Sequence, residues 1–452
     1  MISTGMGPRF AVAGMLVIGL VAGCAPESDD AAAVGEEEPG ALRVGALMPM
    51  TGDLRAYGET SLNGLRLAVQ QVNAQGGVRD SEMRILAEDT ESQPSIAVNH
   101  ARSLVASDGV PVLIGPHSSD GTIEVAEQVA IPEGALQISH AATSPAITAL
   151  DDDDRVFRTV PSDAYQGIAL AELVAGEGIE EVAILHVDNE FGVGLSGAFV
   201  DAFEEGGGTV GATVAFADVA DAEVRAERFS EVFTGDELPL VSLTDLFTER
   251  ADPTYEEEIA RAADVEAEAL VLIAYPQTGA RILRQVTTAD VFDRFVLSGS
   301  LHSRALVDAV GAGALDGAFG AVPAVDEDSE AAATFASDYR DIFGTHPSGP
   351  FIDTTYDAAF VTALASQAAG SRDPARMRDA LREVANPPGE VIGPGEWREA
   401  VDRLDRGEAI QYRGASGDIE FDEHGDVAGS YAHWVIRDGR IVTERVFRPG
   451  SD

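Results

Sequence analysis

The 452-residue chain contains no lysine; all 30 basic side chains are arginine, set against 77 aspartates and glutamates. The net charge of −47 argues against a nucleic-acid partner, because such a surface repels phosphate backbones. Near 1 M salt the screening length shrinks to about 3 Å, so a halophilic source is one reading. A GC-rich genome would explain the missing lysine but not the acid excess. Cysteine is nearly absent, and the single Cys24 excludes any intramolecular disulfide. Long apolar runs are lacking too: "FAVAGMLVIGLVA", residues 10–22, falls short of the ~20 residues that span a bilayer. No G-x-S-x-G elbow, H-E-x-x-H or His/Cys cluster occurs, and "DDDD" at 151–154 lacks calcium-loop spacing. No catalytic residue, metal or cofactor is therefore expected. What the chain does have is 45% apolar residues, enough for two or three cores.

Residues 1–23 carry one charged side chain, Arg9, and their apolar run fits the h-region of a secretory signal. The following "LVAGC" resembles a bacterial lipobox, which makes Cys24 the expected lipid-modified N-terminus. Residues 24–41, acidic and rich in Ala, Gly and Pro, read as a disordered tether. Such a chain would sit anchored at the outer face of a membrane.

From Leu42 a strand-and-helix rhythm begins. "LRVGALMP" is a strand. "SLNGLRLAVQQVNAQGG" spaces Leu62, Leu65, Val69 and Val72 as one helical face and stops at Gly76-Gly77. "MRILAEDT", "VPVLIG" and "ALQIS" read as strands, with helices between them and "SPAITAL" opening another. Strict alternation predicts a parallel sheet with helices on both faces. "DDDDRVFRTVPSD", residues 151–163, breaks the rhythm as a crossover, and a similar α/β series then restarts. A second crossover falls near "FGAVPAVDEDS". "EAAATFASDYRDIFG" and "TYDAAFVTALASQAAG" read as helices, the latter strongly amphipathic. The C-terminal stretch alternates apolar and polar residues around Asp438-Gly439, as hairpins do. The acidic stretch 218–268 reads as largely solvated surface.

In an open parallel sheet, ligands bind beyond the carboxyl ends of the strands. Ser118 and Ser119 follow "VPVLIG", and Ala141, Ala142 and Thr143 follow "ALQIS". One hydroxyl suffices to cap a helix. The others either form turns or, with free N–H groups, grip a carboxylate or similar acceptor. Tyr57, in a third such loop, lines a cleft or merely packs. "GVGLSG", residues 192–197, has dinucleotide-site spacing, with Asp218 some 20 residues on. Asp188 and Glu190 would repel a pyrophosphate there, and four residues separate the strand from the first glycine.

The ordered set "RVGALMPMTGDLRAYGETSLNGLRLAVQQVNAQGG", "LIGPHSSDGTIEVAE", "ISHAATSPAIT", "FRTVPSD", "AILHVDNEFGVG" and "GDIEFDEHGD" resembles type I periplasmic solute-binding proteins of the leucine/isoleucine/valine-binding kind. The likeness runs from about Leu42 to Val446. It implies two doubly wound α/β lobes joined by a three-stranded hinge, closing on a ligand that is passed to an ABC permease without catalysis. On this likeness the lobes are residues 42–160 with 324–427, and 161–323 with 428–452. Ser118 or Ser119, Ala141 and Thr143 would hold an α-carboxylate, Thr143 and the Ala141 carbonyl also lying near the ammonium. Tyr57 would line the side-chain pocket and Tyr275 would close over the ligand. Phe191 replaces a tyrosine common in relatives. The relatives' acidic partner of the ammonium falls near Ser300, where this chain has no carboxylate. An amino acid, an amide or urea-like molecule, or a small carboxylate are the expected ligand classes. A sensor feeding a membrane receptor, or an exported hydrolase using Ser118 or His140, are the alternatives.

Overall fold

A computed structural model describes residues 40–218, 254–325 and 329–450. Cys24, the signal and tether segments, and most of the acidic stretch 218–268 lie outside the described residues. Five short apolar segments form the first sheet: β1 (Leu42–Met48), β2 (Met83–Asp89), β3 (Val112–Ile114), β4 (Leu136–Ser139) and β5 (Val156–Arg158). All pair in parallel in the order β2-β1-β3-β4-β5. β3, β4 and β5 are buried along their whole length, as strands sandwiched between helices must be. Helix α1 (Arg55–Ala74) turns the expected Leu62, Leu65, Val69 and Val72 face inward. α2 (Pro94–Ala106) and α3 (Ser119–Val125, prolonged by a π turn, Ala126–Ala130, to Glu133) complete the layers.

The second half repeats the plan. α4 (Asp163–Gly176) leads to β6 (Glu181–Val187), α5 (Glu190–Glu205), β7 (Thr209–Phe216), α6 (Glu256–Ala263), β8 (Ala269–Ile273), α7 (Pro276–Ala289), β9 (Phe295–Leu297), α8 (Arg304–Val310) and β10 (Phe319–Ala324). The chain then returns to the first core through α9 (Glu330–Phe343), α10 (Ile352–Ala368), α11 (Pro374–Ala385), β11 (Glu390–Ile392), α12 (Trp397–Asp405), β12 (Ile410–Gly414) and β13 (Gly417–Asp418). It ends in the hairpin β14 (Ser430–Arg437) and β15 (Arg440–Phe447), turning at Asp438-Gly439 and extending the second sheet to β15-β14-β10-β9-β8-β6-β7. β11, β12 and β13 form a separate small sheet. The parallel strands of both large sheets therefore share one order, reversing direction between β1 and β3 in one and between β6 and β8 in the other.

Three expectations need correction. Residues 151–163 are not only a crossover, because they contain β5; a three-residue strand is too short to show a period of two. "SPAITAL" forms one 3₁₀ turn, Pro145–Ile147, rather than a longer helix. α10 is not amphipathic but buried on nearly every side. Residues of α1, α11 and β12 join it in one core, so even its Asp357 is inside, held by the Tyr412 hydroxyl at 2.7 Å and the Ala415 N–H at 2.8 Å.

The chain passes between the two cores three times: from β5 to α4, from β10 to α9, and from Val427 to β14. The first and third passages run side by side. A Cβ at Gly429 would overlap the Pro161 ring. Just before them sits a fully buried fork, Arg158 against Asp426, with Nε 2.6 Å from Oδ1. The same guanidinium donates to the Ser144 carbonyl at 2.9 Å and to Thr148 Oγ1 at 2.6 Å. Asp426→Ala is expected to cost about 3–5 kcal/mol, the usual loss when a buried charge is left unpaired. Urea denaturation of wild type and variant measures it, and a loss under about 1 kcal/mol would contradict the importance given to the fork.

Candidate ligand-binding cleft

The loops at the carboxyl ends of β3 and β4 meet through side chains. Ser118 caps α3, its Oγ accepting from the Gly121 N–H at 3.2 Å. Ser119 Oγ accepts the Ser144 N–H at 3.3 Å, joining the two loops. Ser139 Oγ accepts the Ala142 N–H at 3.0 Å and stiffens the second loop. Between these bonds the Thr143 N–H has no hydrogen-bond partner among the described residues. Both serines use their hydroxyl oxygens as acceptors and keep their protons to give. Ser118, Ser119, Ala141, Ala142 and Thr143 are thus brought together with donors in excess of what the fold consumes.

Thr143 has a partner that sequence reasoning missed. Its Oγ1 donates to Asp163 Oδ2 at 2.6 Å, while Asp163 Oδ1 is buried with no hydrogen-bond partner among the described residues. The Asp163 N–H also returns to the Thr143 carbonyl at 2.7 Å. Burial pushes the Asp163 carboxyl up to about 7, against the lowering effects of the Thr143 hydrogen bond and the Arg158 charge. Asp163 stands at the first crossing, 20 residues from Thr143, so nothing local in "VPSD" announced the contact. When Asp163 is ionised, the only proton of Thr143 points at it, and the threonine oxygen can then only accept from a ligand. That suits an ammonium group better than a carboxylate.

Aromatic rings occupy the two reversal points. Tyr57, after β1, stacks on His117, after β3, with centroids 4.8 Å apart and planes 13° apart. Phe351, at the start of α10, meets His117 edge-on at 5.0 Å, and His140 does so at 5.4 Å. In the other half Phe191, after β6, stacks on Tyr275, after β8, at 5.5 Å. Asn189 Nδ2 donates to the Tyr275 hydroxyl at 3.2 Å. Burial chiefly raises the Tyr275 pKa; Asp120, Asp218 and Tyr57 raise it further. Ser300 is engaged within its own lobe: its Oγ donates to the Ala274 carbonyl at 2.7 Å and contacts Ser298 Oγ at 2.8 Å, bracing the chain just before Tyr275.

The lobes touch. The Glu190 N–H donates to Asp120 Oδ1 at 3.3 Å. Gly194 lets α5 approach the turn after Thr143: a Cβ there would lie 2.7 Å from Pro145 Cδ and 2.9 Å from Ser144 Oγ. Two of the three glycines that mimic a dinucleotide fingerprint, Gly192 and Gly194, thus have a packing cause, while Gly197 has open space around it; Asp218 accepts from Thr278. His140 of the hydrolase alternative is fully buried, both its ring nitrogens lack partners among the described residues, and burial lowers its pKa to about 3.

Two lobes of one strand order, in contact at Asp120 and Glu190 and joined by three passages of the chain, define a type I periplasmic binding-protein fold. The chain belongs to the family described as the receptor family ligand binding region, whose pattern matches residues 60–436. It is 26% identical over 419 residues, 90% of each chain, to the chemotactic signal transduction system substrate-binding protein BasB of Halobacterium salinarum. It is 27% identical over 387 residues, 85% of this chain and 92% of the other, to the Leu/Ile/Val-binding protein of Escherichia coli K12. The fold also matches, with a TM-score of 0.69 at 18% identity over 91% of this chain and 97% of the other, an ABC transporter solute-binding protein of R. palustris in complex with benzoate.

Two outcomes are expected. Between its ordinary value of 3.8 and about 7, Asp163 holds its proton when folded and loses it when unfolded. Folding then takes up a proton, so the stability due to this group falls as pH rises across that window and is flat above it. Asp163→Asn removes the fall, and urea denaturation of both proteins at pH 5 and 8 should therefore show the variant gaining on wild type at the higher pH; a constant difference would contradict the assignment. Gly194→Leu should hold the lobes apart, read as a larger radius of gyration in small-angle scattering; an unchanged radius would mean that the contact yields.

Proposed function

We propose that the protein is a lipid-anchored, extracytoplasmic solute-binding protein of an ABC importer, capturing an amino acid between its lobes. The observation that carries the reading is the buried Asp163 Oδ1 beside Thr143, which no described residue satisfies. It supplies, from the hinge end of the second lobe, the acidic group that Ser300 does not. An α-ammonium would be met by Asp163 and the Thr143 oxygen. The carboxylate would be met by the Ser118 and Ser119 hydroxyls and the Thr143 N–H, donors already aimed before the ligand arrives. The second lobe, closing with Phe191 and Tyr275, would bury the ligand and stabilise the closed state.

The moving bodies in this reading are residues 42–160 with 324–427, and 161–323 with 428–452. Export and anchoring rest on the signal-like residues 1–23 and the lipobox ending in Cys24. The Leu/Ile/Val-binding relative of E. coli supports an amino acid, and the benzoate complex supports a carboxylate as the group recognised. A second reading, a sensor that reports to a membrane receptor, is favoured by the chemotactic relative; permease and ATPase genes beside this one would favour import.

Thr143→Ala should weaken amino-acid binding by roughly 1.5–3 kcal/mol, the range for a hydrogen bond to a charged group. Titration calorimetry with the ligand found in a thermal-shift panel of amino acids, amides and small carboxylates measures it. Unchanged affinity would remove Thr143 from the site, and a panel in which only carboxylates lacking an amine raise the melting temperature would overturn the amino-acid reading.

A further inference from the structure

The hinge borders a second open space, away from the serines and Thr143. A cavity of about 770 Å³ is walled by Ala331 and Thr334 of α9, Arg413 and Asp418 of β12 and β13, Ser430 at the start of β14, and Arg448 just past β15. α9 packs on the first core through Phe335 and Tyr339, and β14 and β15 pack on the second through Tyr431, Trp434 and Phe447, so the walls come from both lobes. Arg448 reaches Asp418 across this space at 3.4 Å, and Arg413 Nε donates to the same carboxylate at 3.0 Å. Exposed pairs of this kind contribute little, and packed interiors leave few voids larger than a water molecule. The space is therefore clearance between two bodies rather than a flaw within one core.

Sheet order places this cavity behind the hinge. β6, β8, β9 and β10 run parallel, so their carboxyl ends share one edge. β14 begins and β15 ends at that edge, because Ser430 pairs with Ala324 and Phe447 with Tyr431. Along it come Arg448, then the second and third passages at Ala324 and Ser430, then β9, then Tyr275 after β8 and Phe191 after β6. The first passage lies against the third at Pro161 and Gly429. With neighbouring strands about 4.8 Å apart, the two rings stand roughly 10–14 Å to one side of the passages and Arg448 about 5 Å to the other. A rotation about the passages moves the two sides in opposite senses. On the ring side Gly194 of α5 already rests against Ser144 and Pro145, so the motion left is opening. Resting on the reading that the lobes close on a ligand, we infer that the cavity is a stop behind the hinge: it narrows as the cleft opens, and bulk placed in it holds the cleft shut and tightens binding at a distance. A ligand that needs the closed form binds with an affinity scaled by the fraction closed beforehand.

Thr334→Trp and Ala331→Phe, three residues apart on one face of α9, add bulk inside the cavity and none in the cleft. Both variants of the full chain should show a smaller radius of gyration than wild type in small-angle scattering without ligand. Both should bind leucine at least threefold more tightly in titration calorimetry; if leucine does not bind, the panel amino acid that most raises the melting temperature takes its place. An unchanged or larger radius, or unchanged or weaker affinity, in folded variants would overturn the inference and leave amino-acid capture standing. Failure of every panel compound to bind would instead overturn the capture reading, and the scattering would still decide the inference. Should neither variant fold, spin labels on Thr334→Cys and Arg448→Cys read the width of the cavity directly. A longer distance with leucine bound than without supports the inference, and an equal or shorter one overturns it.

Discussion

The buried Arg158–Asp426 fork is the contact on which the arrangement of the cleft depends. Arg158 ends β5, Asp426 precedes the third passage between lobes, and the guanidinium reaches the Ser144 carbonyl and the Thr148 hydroxyl. One side chain thus fixes the hinge to the loop that carries Thr143. A buried ion pair is seldom the cheapest way to fill such a space, since desolvation of both charges offsets much of their attraction. Its value here is geometric. A planar fork has one orientation against a carboxylate, so the turn after Thr143 and the hinge strands are held in register. Asp163, which opens α4 just past that hinge, consequently arrives beside Thr143.

The same desolvation governs the ionisable groups inside the lobes. The outside of the chain is crowded with carboxylates, most of them solvated. The inside holds a few ionisable groups whose charged forms are disfavoured: Asp163 pushed up to about 7, Asp357 to about 6, and His140 down to about 3. Asp357 is repaid by four donors, from Tyr412, Ala415 and Ser416. Asp163 is repaid by one hydroxyl and keeps an oxygen unused. That contrast separates a carboxylate whose oxygens are both satisfied by the fold from one with an oxygen that no described residue satisfies.

The two halves repeat a single device. Each parallel sheet reverses its strand order once, and at each reversal two rings stack: Tyr57 on His117, and Phe191 on Tyr275. Loops diverge at such a point and leave a crevice, and a flat ring pair lines it at small entropic cost. The serines and Thr143 lie on the neighbouring loops of the first half only. Asp163, at the start of the second half, is joined to those loops by its bond to Thr143.

The strand-and-helix rhythm, the burial of β1, β3 and β4, the inward face of α1 and the hairpin at Asp438-Gly439 could all be read from residue order. They depend on periodicity and turn chemistry, which act between near neighbours. So did the gathering of Ser118, Ser119 and Thr143 at strand ends, since parallel strands place their carboxyl termini on one edge. Three-residue strands such as β5 and β11 carry too few residues to display a period. The full burial of α10 escaped because an apolar face says nothing of what a second neighbour will cover. Asp163 beside Thr143, Arg158 in its fork, and His117 under Tyr57 were decided only when distant segments packed. Local preferences act over a few residues and can be read in the chain's order; desolvation and pairing of buried polar groups depend on which remote segments exclude water, and that exists only in the folded molecule.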